Sequence, residues 1–225
     1  MITLSLSILL VVWTEDACAN ELPELLQTVL RTDTSYQSIS CKIDIMLDVP
    51  GFNMPDKQVF LTLEQGKKPR IKSEGITILP KHGLIGQYRE FLDTDAQAIP
   101  IRENGDTVIY KVVSLDHRSD WVTVDLVITR SEARIHSMRI ATRKSGEYFV
   151  RHSYGPELEM FPEQTEISFE AVPVKLPLKF LGKQEGMEFL TENDGPVTGR
   201  IILSYSDISW EKSSPSDRKK SSNSL

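Results

Sequence analysis

Four histidines offer the most versatile side chains in this sequence: His82, His117, His136 and His152. None stands in a His-x-x-x-His or Cys-x-x-Cys spacing, the patterns that bring two ligands within reach of one metal ion. His82 and His117 lie beside turns, and His136 and His152 fall within strand-like runs, so each reads as an ordinary polar residue and no metal site is expected. There is no Gly-x-Ser-x-Gly elbow to raise a nucleophilic serine and no glycine loop to cradle a phosphate. Distant carboxylates could still converge in space as a general acid and base. The acids within strand-like runs, Asp44, Asp48 and Asp125, alternate with apolar residues and most simply mark a wet face. The expectation is therefore no catalytic residue and no cofactor.

The cysteines add no chemistry. Cys18 lies in the N-terminal segment, which leaves Cys41 alone if that segment is removed. A single thiol forms no internal disulfide, and Cys41 reads as a small buried hydrophobe on a strand. The 225 residues carry a formal charge of −6, with 40% apolar and 26% charged residues. That balance supports a buried core and argues against a nucleic-acid partner, which requires a basic face. Two basic clusters stand out, "GKKPRIK" (66–72) and "DRKK" (217–220). Either could touch anionic lipid heads, although a charged turn and a soluble tail explain them as well.

The elements that would position these residues follow from periodicity. "ITLSLSILLVVW" is apolar and too short to span a bilayer comfortably. It precedes Ala17-Cys18-Ala19, a small-x-small site, so residues 1–19 read as a secretory signal peptide cleaved near Ala19-Asn20. Its departure from pattern is the lack of Lys or Arg before the apolar run. Leu22, Leu25, Leu26, Val29 and Leu30 then form one stripe of an amphipathic helix, with Pro23 in its first turn. Alternating strands follow at "CKIDIMLDV", "KQVFLTLEQ", "PRIKSEG" and "ITILP", separated by turn residues. A second helix is expected in "LIGQYREFLDTDAQAIP" (84–100), from Leu84, Ile85, Tyr88, Phe91 and Leu92.

Beyond "ENGD" the strands resume as an antiparallel meander, "TVIYKVVSL", "WVTVDLVIT", "RIHSMRIAT" and "EYFVRHSYG". Pro162, Pro173 and Pro177 point to edge or irregular structure in "FPEQTEISFEAVPVKLPLKFLG". "TGRIILSYSDISW" is the last strand, and residues 211–225 read as a disordered polar tail. The fold class is mainly β with two helices (α+β): a curved antiparallel sheet forming an incomplete barrel, with the helices covering its concave side. One domain over residues 20–210 is expected.

This organisation resembles the LolA-like outer-membrane lipoprotein-sorting family. The likeness is carried by the amphipathic first helix, "YQSISCKIDIML", "KKPRIKSEGITILP", the hairpins of "IYKVVSLDHRSDWVTVDLVITRSEARIHSMRIATRKSG" and the later "EISFEAVPVKLPL". The resemblance implies an incomplete barrel closed by a helical lid over an apolar cavity for lipoprotein acyl chains or another lipid. It also implies a periplasmic monomer that meets partner proteins at the inner and outer membranes. On the carrier reading the candidate acyl lining is Leu25, Leu26 and Val29 of the first helix, Tyr88 and Phe91 of the second, and Leu47, Leu61, Leu63, Ile71, Ile78, Leu126, Ile128, Met138 and Ile140 of the strands, each of which plain core packing would explain as well.

The family's carriers have an Arg-Pro step at the third strand whose Arg ties to the lid. The corresponding step here is Lys68-Pro69, with Arg70 just beyond, so Lys68 and Arg70 are the candidate lid contacts. Lysine lacks the planar fork of arginine, which puts that lock in doubt. Two other readings stand beside the carrier. One is a non-enzymatic sensor or protein-interaction domain of the same fold with a filled barrel, and the other is a hydrolase with converging carboxylates.

Overall fold

The structure, a computed structural model, describes residues 22–33, 36–50, 56–64, 70–73, 88–92, 95–156, 161–171 and 197–212. The chain opens with α1 (Glu24–Asp33). Pro23 precedes its first turn, and its carbonyl accepts from the Gln27 amide at 3.0 Å. Glu24 sits in that turn, where a carboxylate complements the positive end of the helix. The leucine stripe is then used, because Leu26 and Val29 are buried.

The strands are β1 (Tyr36–Asp48), β2 (Lys57–Glu64), β3 (Arg70–Ser73), β4 (Ala96–Asn104), β5 (Thr107–Ser114), β6 (Trp121–Thr129), β7 (Arg134–Thr142), β8 (Glu147–Tyr154), β9 (Pro162–Ala171) and β10 (Val197–Lys212). A short helix, α2 (Tyr88–Leu92), precedes β4. All ten strands form one sheet in the order β3-β2-β1-β10-β9-β8-β7-β6-β5-β4, antiparallel throughout. Strands β4 to β10 form a meander, as do β1 to β3, and the two join where β1 pairs with β10. Among the described residues the sheet is open, with β3 and β4 at its edges.

Local chemistry explains how the register holds. At the β4–β5 turn, Gly105 adopts a φ of 57°, and Asp106 accepts from the Ser131 amide at 2.9 Å, tying this turn to the β6–β7 turn. On β10 the pairs Ser40↔Ser209 and Lys42↔Ser206 skip a residue, and Asp207 there has a φ of 49°. Asp tolerates that left-handed conformation better than a β-branched residue does. The bulge shifts side-chain parity along β10: Leu203 and Tyr205 face inward before it, and Ile208 packs on the same core after it.

Three boundaries differ from the sequence expectation. Residues 96–100 are strand rather than helix, since Pro100 cannot continue a helix but fits an edge strand where it costs no ladder bond. Leu84 and Ile85 of that expected helix, and the "ITILP" strand, lie outside the described residues. Residues 162–171 are an interior strand, β9, rather than edge or irregular structure. Pro162 is its first residue and so interrupts nothing, while Pro173 and Pro177 are outside the described residues. Glu211 and Lys212, placed in the tail by composition, end β10 because they pair with Ser38 and Tyr36. Residues 1–19 and 213–225 are outside the described residues.

Candidate functional site

The candidate site is the inner face of the sheet, built by period-two alternation. One row of cross-strand partners runs Tyr110, Leu126, Met138, Val150, Ile167, Ile201 and Leu47, each paired with the next across seven strands. Beside it lies a second row, Val112, Val124, Ile140 and Tyr148, continuing to Phe169. Both helices meet this face. Leu26 and Val29 of α1 and Phe91 and Leu92 of α2 are buried in the same apolar cluster, and the Phe91 ring meets Trp121 edge-on at 5.2 Å.

The residues expected to line an acyl site divide four ways. Leu26, Val29, Leu61, Phe91, Leu126, Ile128, Met138 and Ile140 come together, fully or almost fully buried, in one cluster. Leu25, Leu63 and Tyr88 pack against it while half-buried, and Leu47 is half-buried at the end of the first row. Ile71 shares its row with Leu61 and Cys41 yet is 43% exposed. Ile78 and Lys68 are outside the described residues. Arg70 is exposed and forms an ion pair with Glu64 on the neighbouring strand.

The outer face carries the charge. Asp125 pairs with Lys111, Asp48 with Arg200 (Nε to Oδ2 3.1 Å), and Asp44 accepts from Gln58 Nε2 at 2.7 Å. Arg139 donates to Glu147 through Nε at 3.0 Å and Nη2 at 2.6 Å. Arg139 and Arg200 are therefore held protonated more firmly than usual, first by these hydrogen bonds and then by the carboxylate charge. The strand acids thus lie on the wet side, Asp48 and Asp125 in ion pairs and Asp44 on an amide, away from the apolar rows.

A polar island interrupts the inner face where β8, β9 and β10 adjoin. His152 is buried, with Nδ1 2.9 Å from the Thr165 hydroxyl. Burial, and then the nearby His136, push the His152 pKa down to about 4, so it is neutral at pH 7. Tyr205 is buried alongside, its ring edge-on to Phe161 at 5.8 Å and its hydroxyl pushed far above the ordinary value by burial. Cys41 is a buried free thiol, pushed up to about 12 by burial, and so remains an unreactive SH.

Sequence reasoning left His152 with the ordinary polar residues and did not single out Thr165 or Tyr205. Parity was the available signal: His152 follows Tyr148 and Val150 at steps of two, and Thr165 precedes Ile167 and Phe169. The inner face is thus apolar along its rows and polar at one place, where His152, Thr165 and Tyr205 adjoin. Among the described residues no group of three His, Cys, Asp or Glu is placed to hold a metal, and no helix is long and apolar enough to cross a membrane.

No family model matches the sequence, and no curated protein matches it. Solved structures do. A LolA-superfamily protein from Nitrosomonas europaea is 13% identical, with a TM-score of 0.47 over 85% of this chain and 96% of that one. A domain assigned to outer-membrane lipoprotein sorting, from Vibrio parahaemolyticus, is 9% identical, with a TM-score of 0.46 over 88% and 96%. A DUF1329-family protein from Desulfovibrio piger is 8% identical, with a TM-score of 0.50 over 83% and 90%. The first two carry the family name that the sequence resembles. At such identities the third, with its TM-score of 0.50, shows a likeness of fold alone.

Proposed function

We propose that this chain is a non-enzymatic periplasmic carrier that holds the acyl chains of a lipoprotein, or of another lipid, against the inner face of its sheet. The observation that carries the reading is that the apolar face continues beyond its cover. Its centre is fully buried, but Ile71 on β3 and Trp210, the β10 partner of Ile39, are 43% and 50% exposed on inward-facing positions. Ten strands at their usual spacing span about 43 Å, whereas among the described residues the helices, of ten and five residues, reach about 15 and 7.5 Å. An acyl chain is a fitting complement for the remainder, since each buried CH₂ is worth about 0.8 kcal/mol.

The resemblance to the LolA-like family supplies the cargo class and the lid, with Lys68 and Arg70 as its contacts. The reading of residues 1–19 as a cleaved signal peptide supplies the periplasmic location. Cargo would be received and delivered at partner proteins of the two membranes by a monomer.

A second reading, an interaction or sensor domain of the same fold, draws on the depth of burial at the centre. Val124, Leu126, Ile128 and Ile140 are wholly buried, as in a solid core. Native mass spectrometry of the protein purified from periplasm without detergent separates the two. Adducts with phospholipid or acyl-chain masses, removed by organic extraction, are expected of the carrier. A clean mass that stays clean after incubation with lipid or lipoprotein would leave the interaction domain.

A further inference from the structure

Among the described residues, two buried side-chain polar atoms lack a hydrogen-bond partner: Tyr205 Oη, and His136 Nε2, which faces the Glu132 carboxylate at 3.5 Å. Both belong to the polar island on the inner face. The His136 ring lies 5.7 Å from Tyr154, the Tyr154 ring lies 6.3 Å from His152, and His152 Nδ1 is 2.9 Å from Thr165 Oγ1. Thr165 is in turn the polar neighbour of Tyr205. Buried polar atoms are nearly always paired, because an unpaired one forfeits its hydration without return. A phenylalanine would fill the Tyr205 site against Phe161 equally well. The orphaned hydroxyl is thus a cost that packing alone does not explain.

The island also has a defined place relative to the apolar rows. His152 and Thr165 each stand two residues beyond Val150 and Ile167, members of the long row, and are themselves cross-strand partners. Tyr205 stands two residues beyond Leu203, the β10 partner of Thr165. A chain lying along the long row would bring a polar group near its end beside the Tyr205 hydroxyl.

We infer that Tyr205, backed by Thr165 and His152, forms a subsite that donates a hydrogen bond to an uncharged carbonyl oxygen of a bound acyl chain, as in an ester or amide. Tyr205 Oη carries a proton to give, and the polar group beside it, the Thr165 hydroxyl, is already engaged with His152 at 2.9 Å. A carboxylate fits less well. Arg134, a cation beside the island, lies over the Tyr154 ring at 5.3 Å and already faces Glu132 at 3.6 Å, and an unpaired buried ion costs far more than a neutral dipole. The inference rests on the acyl-carrier reading and adds the point at which the acyl chain is held.

The test compares two probes that differ only in the carbonyl, 1-monolauroylglycerol (an ester) and 1-O-dodecylglycerol (an ether), by calorimetry on the mature protein and on Tyr205→Phe. The wild type is expected to bind the ester about five- to tenfold more tightly than the ether, the range of one added neutral hydrogen bond. In Tyr205→Phe that ratio should fall to about one, with ether binding unchanged. Equal binding of ester and ether by the wild type, as when water alone satisfies the hydroxyl, overturns the subsite and leaves the carrier standing. So does a preference that survives in Tyr205→Phe. If neither probe binds, the carrier reading fails and the subsite fails with it. Should Tyr205→Phe not fold, the infrared carbonyl stretch of the ester on wild type decides: a shift to lower frequency supports the bond, and an apolar-solvent position refutes it.

Discussion

His152 Nδ1 and Thr165 Oγ1 lie 2.9 Å apart on the neighbouring strands β8 and β9, inside an apolar face that otherwise excludes water. Either imidazole tautomer satisfies the pair, because the hydroxyl can donate or accept. A protonated ring cannot be accommodated so easily, since burial disfavours its charge. The pKa of His152 is pushed down from 6.5 to about 4.

A pH dependence follows. Between pH 6.5 and 4 the unfolded chain binds a proton at this residue and the folded chain does not. Stability contributed by the neutral ring is therefore present above pH 6.5 and is lost as pH falls towards 4. A difference of about 2.5 pKa units amounts to about 3 kcal/mol. Urea unfolding of wild type and His152→Gln at pH 7 and pH 4.5 should show a steeper acid loss in the wild type. Equal losses in the two proteins would remove His152 as the cause.

Much of this fold was legible because period-two alternation is a local signal. The stretch from Thr107 to Tyr154 shows it plainly, and β5 to β8 fall where Val112, Val124, Ile140 and Val150 require. Pairing between distant segments was not legible: nothing local says that Ile43 faces Tyr205, 162 positions away, because that contact is settled by the sum of two hydrophobic faces. The bulge at Asp207 hid the inward position of Trp210 for the same reason, since it reverses parity within a strand read as continuous. Pro100 and Pro162 were misjudged because the cost of a proline depends on whether its strand is at an edge or only beginning there. Parity chose inward positions such as Leu126 and Ile140, but which inward residues stay exposed, as Ile71 does, depends on what covers them.

Ile71 offers a test of the carrier that spares the fold. It is 43% exposed at an edge strand, so Ile71→Glu should cost less than about 1 kcal/mol of stability. A carboxylate at that position would face any acyl chain passing over it. Uptake of a fluorescent fatty-acyl lipid should fall severalfold or more, while Lys72→Glu on the opposite face of the same strand should alter it little. Unchanged uptake in Ile71→Glu would place the entry elsewhere.

Gly199 marks a point where packing leaves no room for a side chain. A Cβ added there would come within 2.7 Å of the Phe169 ring and 2.8 Å of a Val49 methyl. Gly199→Val forces these neighbours apart and is expected to cost about 1–3 kcal/mol. Chemical denaturation measures this directly, and combining it with Phe169→Ala should recover part of the loss relative to the sum of the single changes. Full additivity would show that the ring is not what the new side chain meets.

Cys41 reports on how strand β1 opens. Its thiol is buried, has no disulfide partner, and is pushed up to about 12, so almost no thiolate is present at pH 8. Labelling by a thiol reagent then requires the strand to open. β1 lies between β2 and β10 with both edges paired, so opening at Cys41 should demand most of the global unfolding free energy. In a chain beginning at Asn20, where Cys41 is the sole thiol, the labelling rate should be slow in buffer. It should rise with urea in proportion to the unfolded fraction measured by circular dichroism. Rapid labelling of the folded protein without denaturant would mean that the sheet opens locally at β1, and that the inner face is reached from that side.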